Sequence, residues 1–112
     1  MEKEWFLLLD KLKSLSGKEA SLDAALFLIG VQELGQGFRH FSKEEKQDLM
    51  HIGTCKVLSL SGYYILEGKD QDGWPHWSLA RALPPLSLDE QEKMLKMHVV
   101  EYFEKEGLWN IK

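Results

Sequence analysis

Apolar residues recur every three or four positions over most of this chain, the spacing of one buried stripe on a helix. Near the start, Trp5, Leu8, Leu9, Leu12 and Leu15 form such a stripe, with Lys3, Lys11 and Lys13 on other faces. They predict a first helix over 2–15, closed by Gly17, which tolerates the left-handed conformation that ends helices. A second helix is predicted up to Leu34, and Ser16 and Ser21 compete to cap its start. Its middle, Ala24-Ala25-Leu26-Phe27-Leu28-Ile29, is apolar nearly all round, so it is expected to be the most buried. Gly35-Gln36-Gly37 breaks it.

Three Ser-x-x-Glu capping boxes punctuate the chain, at Ser16 and Glu19, Ser42 and Glu45, and Ser87 and Glu90. In each, the serine hydroxyl accepts from the amide three residues on, and the glutamate reaches back to the serine amide. The second box opens a predicted helix over 42–60, with Leu49, Met50, Ile52, Val57 and Leu60 as its core stripe and Ser61-Gly62 as its stop. The third, behind Pro84-Pro85, opens a helix over 87–106 that Gly107 ends. The tail Leu108-Trp109-Asn110-Ile111 is apolar enough to be expected back on the core.

Between the last two helices the pattern changes. Tyr63-Tyr64-Ile65-Leu66-Glu67 is aromatic and β-branched, as strands prefer. Gly68-Lys69-Asp70-Gln71-Asp72-Gly73 is dense in turn formers. Trp74-Pro75-His76-Trp77-Ser78-Leu79 can return as a second strand, with Pro75 confining it to an edge, although 78–83 can also be read as a short helix. The expectation is a mostly α (α+β) fold: one compact domain over 1–112, about four helices, and a β-hairpin between helices three and four. In element order alone this resembles a winged helix, where a hairpin follows the third helix.

Composition fits a globular domain, at 44% hydrophobic and 29% charged residues. The net charge is −4, from 14 Lys and Arg against 18 Asp and Glu, with no basic cluster. Nucleic-acid binders need a basic face to displace counterions from phosphates. The third helix carries Glu44, Glu45 and Asp48 against Lys43, Lys46 and Lys56, so a duplex would meet no net positive charge there. Nucleic acid is therefore not expected as a partner. No apolar run approaches the roughly 20 residues of a membrane span, so no membrane partner is expected. A single cysteine, Cys55, gives no internal disulfide, and the cytoplasm is the default location.

Candidate chemistry is sparse. Asp70-x-Asp72-Gly73 resembles part of a calcium loop, but in that frame Gly68 and Leu79 stand at its first and last ligand positions. A hairpin turn is the plainer reading. On helix three, Glu44, Asp48, His51 and Cys55 share one side, opposite the core stripe. All are metal-ligand types, yet four residues over three turns cannot reach one ion. His98 with Glu101, or His76, would have to complete a site. His51 and Cys55 can also be read as a Cys–His pair, and Gly35–His40 as an anion-holding loop before a helix N-terminus. The plain alternatives are a solvated face, a buried thiol and an interhelical turn. No nucleophile motif and no cofactor fingerprint is present.

Two features point to partners. Trp74-Pro75-His76-Trp77 is a rigid aromatic unit, either core or a recognition patch, because tryptophan dominates binding hot spots. On helix four, Met94, Leu95, His98, Val99, Tyr102 and Phe103 fill an apolar arc, and Met97 with Val100 fall outside it among charges. They are scattered surface residues, or are covered by Trp109 and Ile111, or pack on a second copy across a twofold axis. The leading expectation is a non-enzymatic protein that contacts another protein or itself, through Trp74, His76, Trp77, Met97 and Val100. The alternative is a small-molecule or metal-binding protein, enzymes included, with a pocket between helices three and four and the hairpin. Its metal candidates are Asp48, His51, Cys55 and His98.

Overall fold

The computed structural model describes residues 2–16, 21–37 and 39–106. Within them the order is α1 (Glu2–Ser16), α2 (Leu22–Leu34), α3 (Lys43–Ser59), β1 (Tyr64–Lys69), β2 (Pro75–Leu79) and α4 (Leu88–Lys105). Four helices and a two-stranded antiparallel hairpin between α3 and α4 form one compact α+β unit. Among the described residues no helix is long and apolar enough to cross a membrane.

The helix ends follow their caps. Ser42 and Ser87 each accept from the amide three residues on, at 3.1 and 3.2 Å, and Glu45 and Glu90 each return to the serine amide. Both glutamates are held below the usual carboxylate range, chiefly by that amide hydrogen bond. Of the two caps competing for α2, Ser21 is the one used: it accepts from the Ala24 amide at 3.1 Å. Ser16 closes α1 instead, while Glu19, Gly17, Gly107 and the 108–111 tail lie outside the described residues. Gly35 ends α2 in the left-handed region at φ 74°, its N–H donating to Val31.

The core has two parts. The larger joins Trp5, Leu8 and Leu12 of α1, Ala25, Leu26 and Ile29 of α2, Val57 and Leu58 of α3, and Val99, Val100, Tyr102 and Phe103 of α4. The smaller joins Val31 and Leu34 to Phe41, Leu49 and Ile52, with Phe27 and Trp74 packed on it. Helices α2 and α3 meet backbone to backbone between these parts. A Cβ on Gly30 would stand 2.0 Å from the Leu49 carbonyl oxygen, and one on Gly53 would stand 2.1 Å from that of Leu26. Neither helix tolerates a side chain at its glycine, and this accounts for two glycines in helix interiors, each of which costs about 1 kcal/mol relative to alanine.

Glu33 ties three helices at the edge of the core. It accepts from the Tyr102 hydroxyl of α4 at 2.9 Å and pairs with Lys56 of α3 at 3.6 Å. Burial first, then the Glu33 charge, pushes the Tyr102 phenol far above its ordinary value. One sequence expectation fails here: Val100 is not on a wet face but 6% exposed in the main core. The cause is α1. Lys96, one turn before Val100, lies 5.5 Å over the Trp5 ring, so α1 covers the side of α4 on which Val100 lies.

Candidate functional site

The hairpin is built on a turn that Asp70 organises. One oxygen of its carboxylate accepts from the amides of Asp72 and Trp74 at 2.9 and 3.0 Å. The other lies 3.0 Å from Nε2 of His76. These contacts, the His76 one first, hold the Asp70 carboxyl below its ordinary value. Gly73 supplies the positive φ of 86° that the turn needs. The Asp-x-Asp-Gly stretch thus acts as a turn, with the Asp70 oxygens spent on amides and an imidazole. Gln36, from the loop before α3, donates to the Asp72 carbonyl at 2.8 Å and moors the hairpin tip to the body.

The ladder pairs Tyr64 with Leu79, Ile65 with Ser78, Leu66 with Trp77, Gly68 with His76 and Lys69 with Pro75. Glu67 is the extra residue of a bulge, and its carboxylate accepts from the Ser78 hydroxyl. Antiparallel pairs alternate between those that exchange hydrogen bonds and those that do not. The Ala80 amide donates to Tyr63 and the Asp70 amide to Trp74. The exchanging pairs are therefore Ile65 with Ser78 and Gly68 with His76. The backbone groups of Tyr64, Leu66 and Lys69 point away from β2, and among the described residues none of them has a hydrogen-bond partner. Pro75 falls in a pair that exchanges nothing, so its missing N–H costs the ladder nothing and blunts the outer edge of β2. The two edges therefore differ: Pro75 removes a donor from the outer edge of β2, while the regular stretch of β1 keeps all of its outward donors and acceptors.

Side chains repeat that asymmetry. In β2, Pro75 is buried and Trp77 and Ser78 are half-buried; in β1 every residue after Tyr64 is exposed. Ile65 is 56% exposed, Leu66 46% and Leu79 56%. The Trp74–Trp77 unit divides between its two readings. Trp74 packs on the smaller core, Pro75 is buried, and His76 faces solvent. Trp77 is half-buried, with an indole N–H that is enclosed and has no acceptor among the described residues.

Behind the hairpin, against α3, lies a cleft of about 310 Å³ lined by Asp48, His51, Ile52, Asp70, Trp74, Pro75, His76 and Trp77. It gathers Asp48 and His51 with the aromatic unit, two groups of candidates far apart in sequence. Cys55 is fully buried, its Sγ 3.5 Å from Nε2 of His51, and burial pushes its thiol up to about 11. A thiol so shielded is a poor nucleophile. His98 lies apart from this group, buried on α4. Its Nδ1 is 2.7 Å from the Met94 carbonyl, which can only accept, so Nδ1 carries a proton and donates; its Nε2 is 2.7 Å from the Ser61 hydroxyl. Among the described residues no three His, Cys, Asp or Glu side chains converge as a metal site, so Asp48, His51, Cys55 and His98 are not assembled into one. Arg39 of the proposed anion loop is already engaged, 4.4 Å over the Phe41 ring and paired with Glu45 at 3.3 Å.

On α4, Met97 is 53% exposed, but with Val100 buried the expected surface pair is reduced to one residue. The outward groups of β1 are not legible in the sequence, because which residues point away from β2 depends on the ladder phase. A second groove of about 200 Å³, mostly apolar, runs between Thr54, Leu58, Tyr64, Leu83, Pro84, Leu86 and α4. Comparison with protein-family models, with curated proteins and with solved structures yields no match.

Proposed function

We propose that this protein acts without catalysis, by docking onto another protein chain, and that the hairpin is the docking element. The observation that carries the reading is β1: an edge strand whose outward amides and carbonyls have no partner among the described residues, with Ile65 and Leu66 exposed. Such an edge is a template for an added strand, and proteins usually blunt it with proline, charge or cover. Here β2 is blunted by Pro75, whereas β1 carries its bulge and its charges, Glu67 and Lys69, only after the regular stretch 64–66. The dispersed −4 charge favours a protein over a nucleic acid as partner, and the lone cysteine fits a cytoplasmic setting. The test is a photo-crosslinking amino acid placed in living cells at Leu66, at Leu79 or, as a control on another face, at Met97. Adducts to a second polypeptide are expected from the two hairpin positions. Adducts from Met97 alone, or from none of the three, would refute the reading.

A second reading is favoured by the cleft, where two carboxylates, two imidazoles and two indoles meet beside α3. It is a small-molecule site in this reading. Trp74 and Trp77 line it, so a ligand is expected to change tryptophan emission, and a Trp77→Phe variant is expected to lose much of that change. A metabolite screen in which emission never moves would remove this alternative.

A further inference from the structure

We infer that the chain received by β1 is a second copy of this protein, paired through β1 itself about a twofold axis at Ile65. The inference rests on the docking reading above and adds the partner and the register. For β1 to pair with its own copy in antiparallel sense, outward-pointing residues must meet outward-pointing residues. On the regular stretch before the bulge these are Tyr64 and Leu66. The register that joins them sets Tyr64 against Leu66 of the second copy, and Leu66 against its Tyr64. Four backbone hydrogen bonds form, and every outward amide and carbonyl of the two residues is used. Sliding the strand so that Leu66 meets its own twin sets Tyr64 against Gly68, whose groups already point at β2.

The side chains agree with that register. Ile65, 56% exposed, meets its twin at the axis in a pair whose Cα atoms stand about 4.5 Å apart. On the opposite face Leu79, Tyr64, the second copy's Leu66 and its Trp77 fall in one continuous apolar row. Glu67 falls opposite Tyr63 of the second copy. In each chain the Arg81 guanidinium lies 4.1 Å over the Tyr63 ring and donates to the Ser61 carbonyl at 2.8 Å. Each Glu67 carboxylate is held by the Ser78 hydroxyl of its own chain, so the seam itself is apolar and hydrogen-bonded. The two-stranded ribbon, marginal by itself, becomes the outer half of a four-stranded sheet.

The experiment is sedimentation of the full chain at rising micromolar concentration, with two variants and the photo-crosslinking chains described above. The wild type is expected to sediment at twice its 13.0 kDa, and Ile65→Lys, which sets two ammonium groups together at the axis, as a monomer with unchanged circular dichroism. Ile65→Cys is expected to form a disulfide-linked dimer in oxidising buffer, since that Cα separation suits a disulfide; Glu67→Cys, off the axis, is expected to stay unlinked. The buried Cys55 does not interfere. A wild type that stays monomeric while Leu66 crosslinks to some other polypeptide would overturn the second copy and leave the docking reading standing. A dimer that Ile65→Lys leaves intact and Ile65→Cys fails to link would overturn the register. Monomers with no hairpin adduct at all would end both.

Discussion

The α2–α3 pair and the β1–β2 hairpin use apolar residues in opposite ways. Between α2 and α3 even a methyl group is excluded, because each glycine seats the backbone of the other helix. In the hairpin, Ile65, Leu66 and Leu79 stand about half exposed, and among the described residues the outer edge of β1 has no partner strand. Apolar residues stand in both segments, Ala25, Leu26 and Ile29 in one and Ile65, Leu66 and Leu79 in the other. A helix satisfies its own backbone and can bury every side of itself, whereas a lone ribbon satisfies only one edge of each strand. The body is thus complete as a single chain, while the hairpin leaves surface and hydrogen-bonding capacity unused. The proposed docking at the hairpin rests on that difference.

The sharpest way to break the comparison is to damage the body. Leu26 is 5% exposed in the main core, and its carbonyl faces Gly53. Leu26→Ala is expected to cost about 2–5 kcal/mol, through lost burial and the cavity left behind. Urea unfolding measures it, and a loss under about 1 kcal/mol would show that the site collapses or was never closed. Gly30→Ala and Gly53→Ala come next, at about 3 kcal/mol each, the upper end for overpacking. The atom each new methyl meets is backbone, which cannot swing aside. On an exposed helix the same change would stabilise by about 1 kcal/mol, so the sign alone decides whether the helices touch as described.

Those glycines also mark how far the sequence could be read. Helix ends were legible because caps are local chemistry: Ser42 with Glu45 and Ser87 with Glu90 need nothing from the rest of the fold. The hairpin was legible because Asp70 and Gly73 build their own turn. Gly30 and Gly53 carried a signal that periodicity passes over, since a costly residue kept in mid-helix asks for a close neighbour. Val100 was misplaced because one stripe per helix assumes one neighbour per helix, and α4 has both α1 and α3. The cleft was half legible. Asp48 and His51 were picked out on α3, and Trp74, His76 and Trp77 in the hairpin, but no local rule says that the hairpin lies against that side of α3. The open edge of β1 is a matter of ladder phase, which composition does not encode.

Alkaline pH probes where hairpin and body meet, because Cys55 is buried on α3 beside His51, which lines the cleft behind the hairpin. Its thiol ionises near 11 in the folded chain and near 8.5 when unfolded. The raised folded value fixes the sign. The contribution is fully present below pH 8.5 and is lost as pH rises toward 11, because only the unfolded thiol can ionise in that window. About 3–4 kcal/mol is expected to go, from about 2.5 units at 1.36 kcal/mol per unit. The Tyr102 phenol, also raised, adds to the decline above its ordinary value. Cys55→Ala is expected to flatten the part that begins near pH 8.5 and leave the later part. Equal alkaline slopes for the two proteins would mean that Cys55 is open to water.

The smallest expected effect discriminates most finely, and it compares two residues of one helix. Met97 and Val100 sit three apart on α4, and by sequence both belong among its charges. The structure separates them, at 53% and 6% exposed. Met97→Lys replaces one flexible, solvated chain by another and is expected to move stability by no more than about 0.5 kcal/mol. Val100→Lys places an ammonium among Trp5, Val99 and Phe103 and is expected to cost several times that, because a charge buried without a partner is strongly disfavoured. Sedimentation gives the same pair a second use. If dimers form through β1, Met97→Lys leaves them intact, while the equally exposed Ile65→Lys separates them at matching stability. If Met97→Lys separates them instead, association runs through α4, and the hairpin, open edge and all, is surface that no second copy covers.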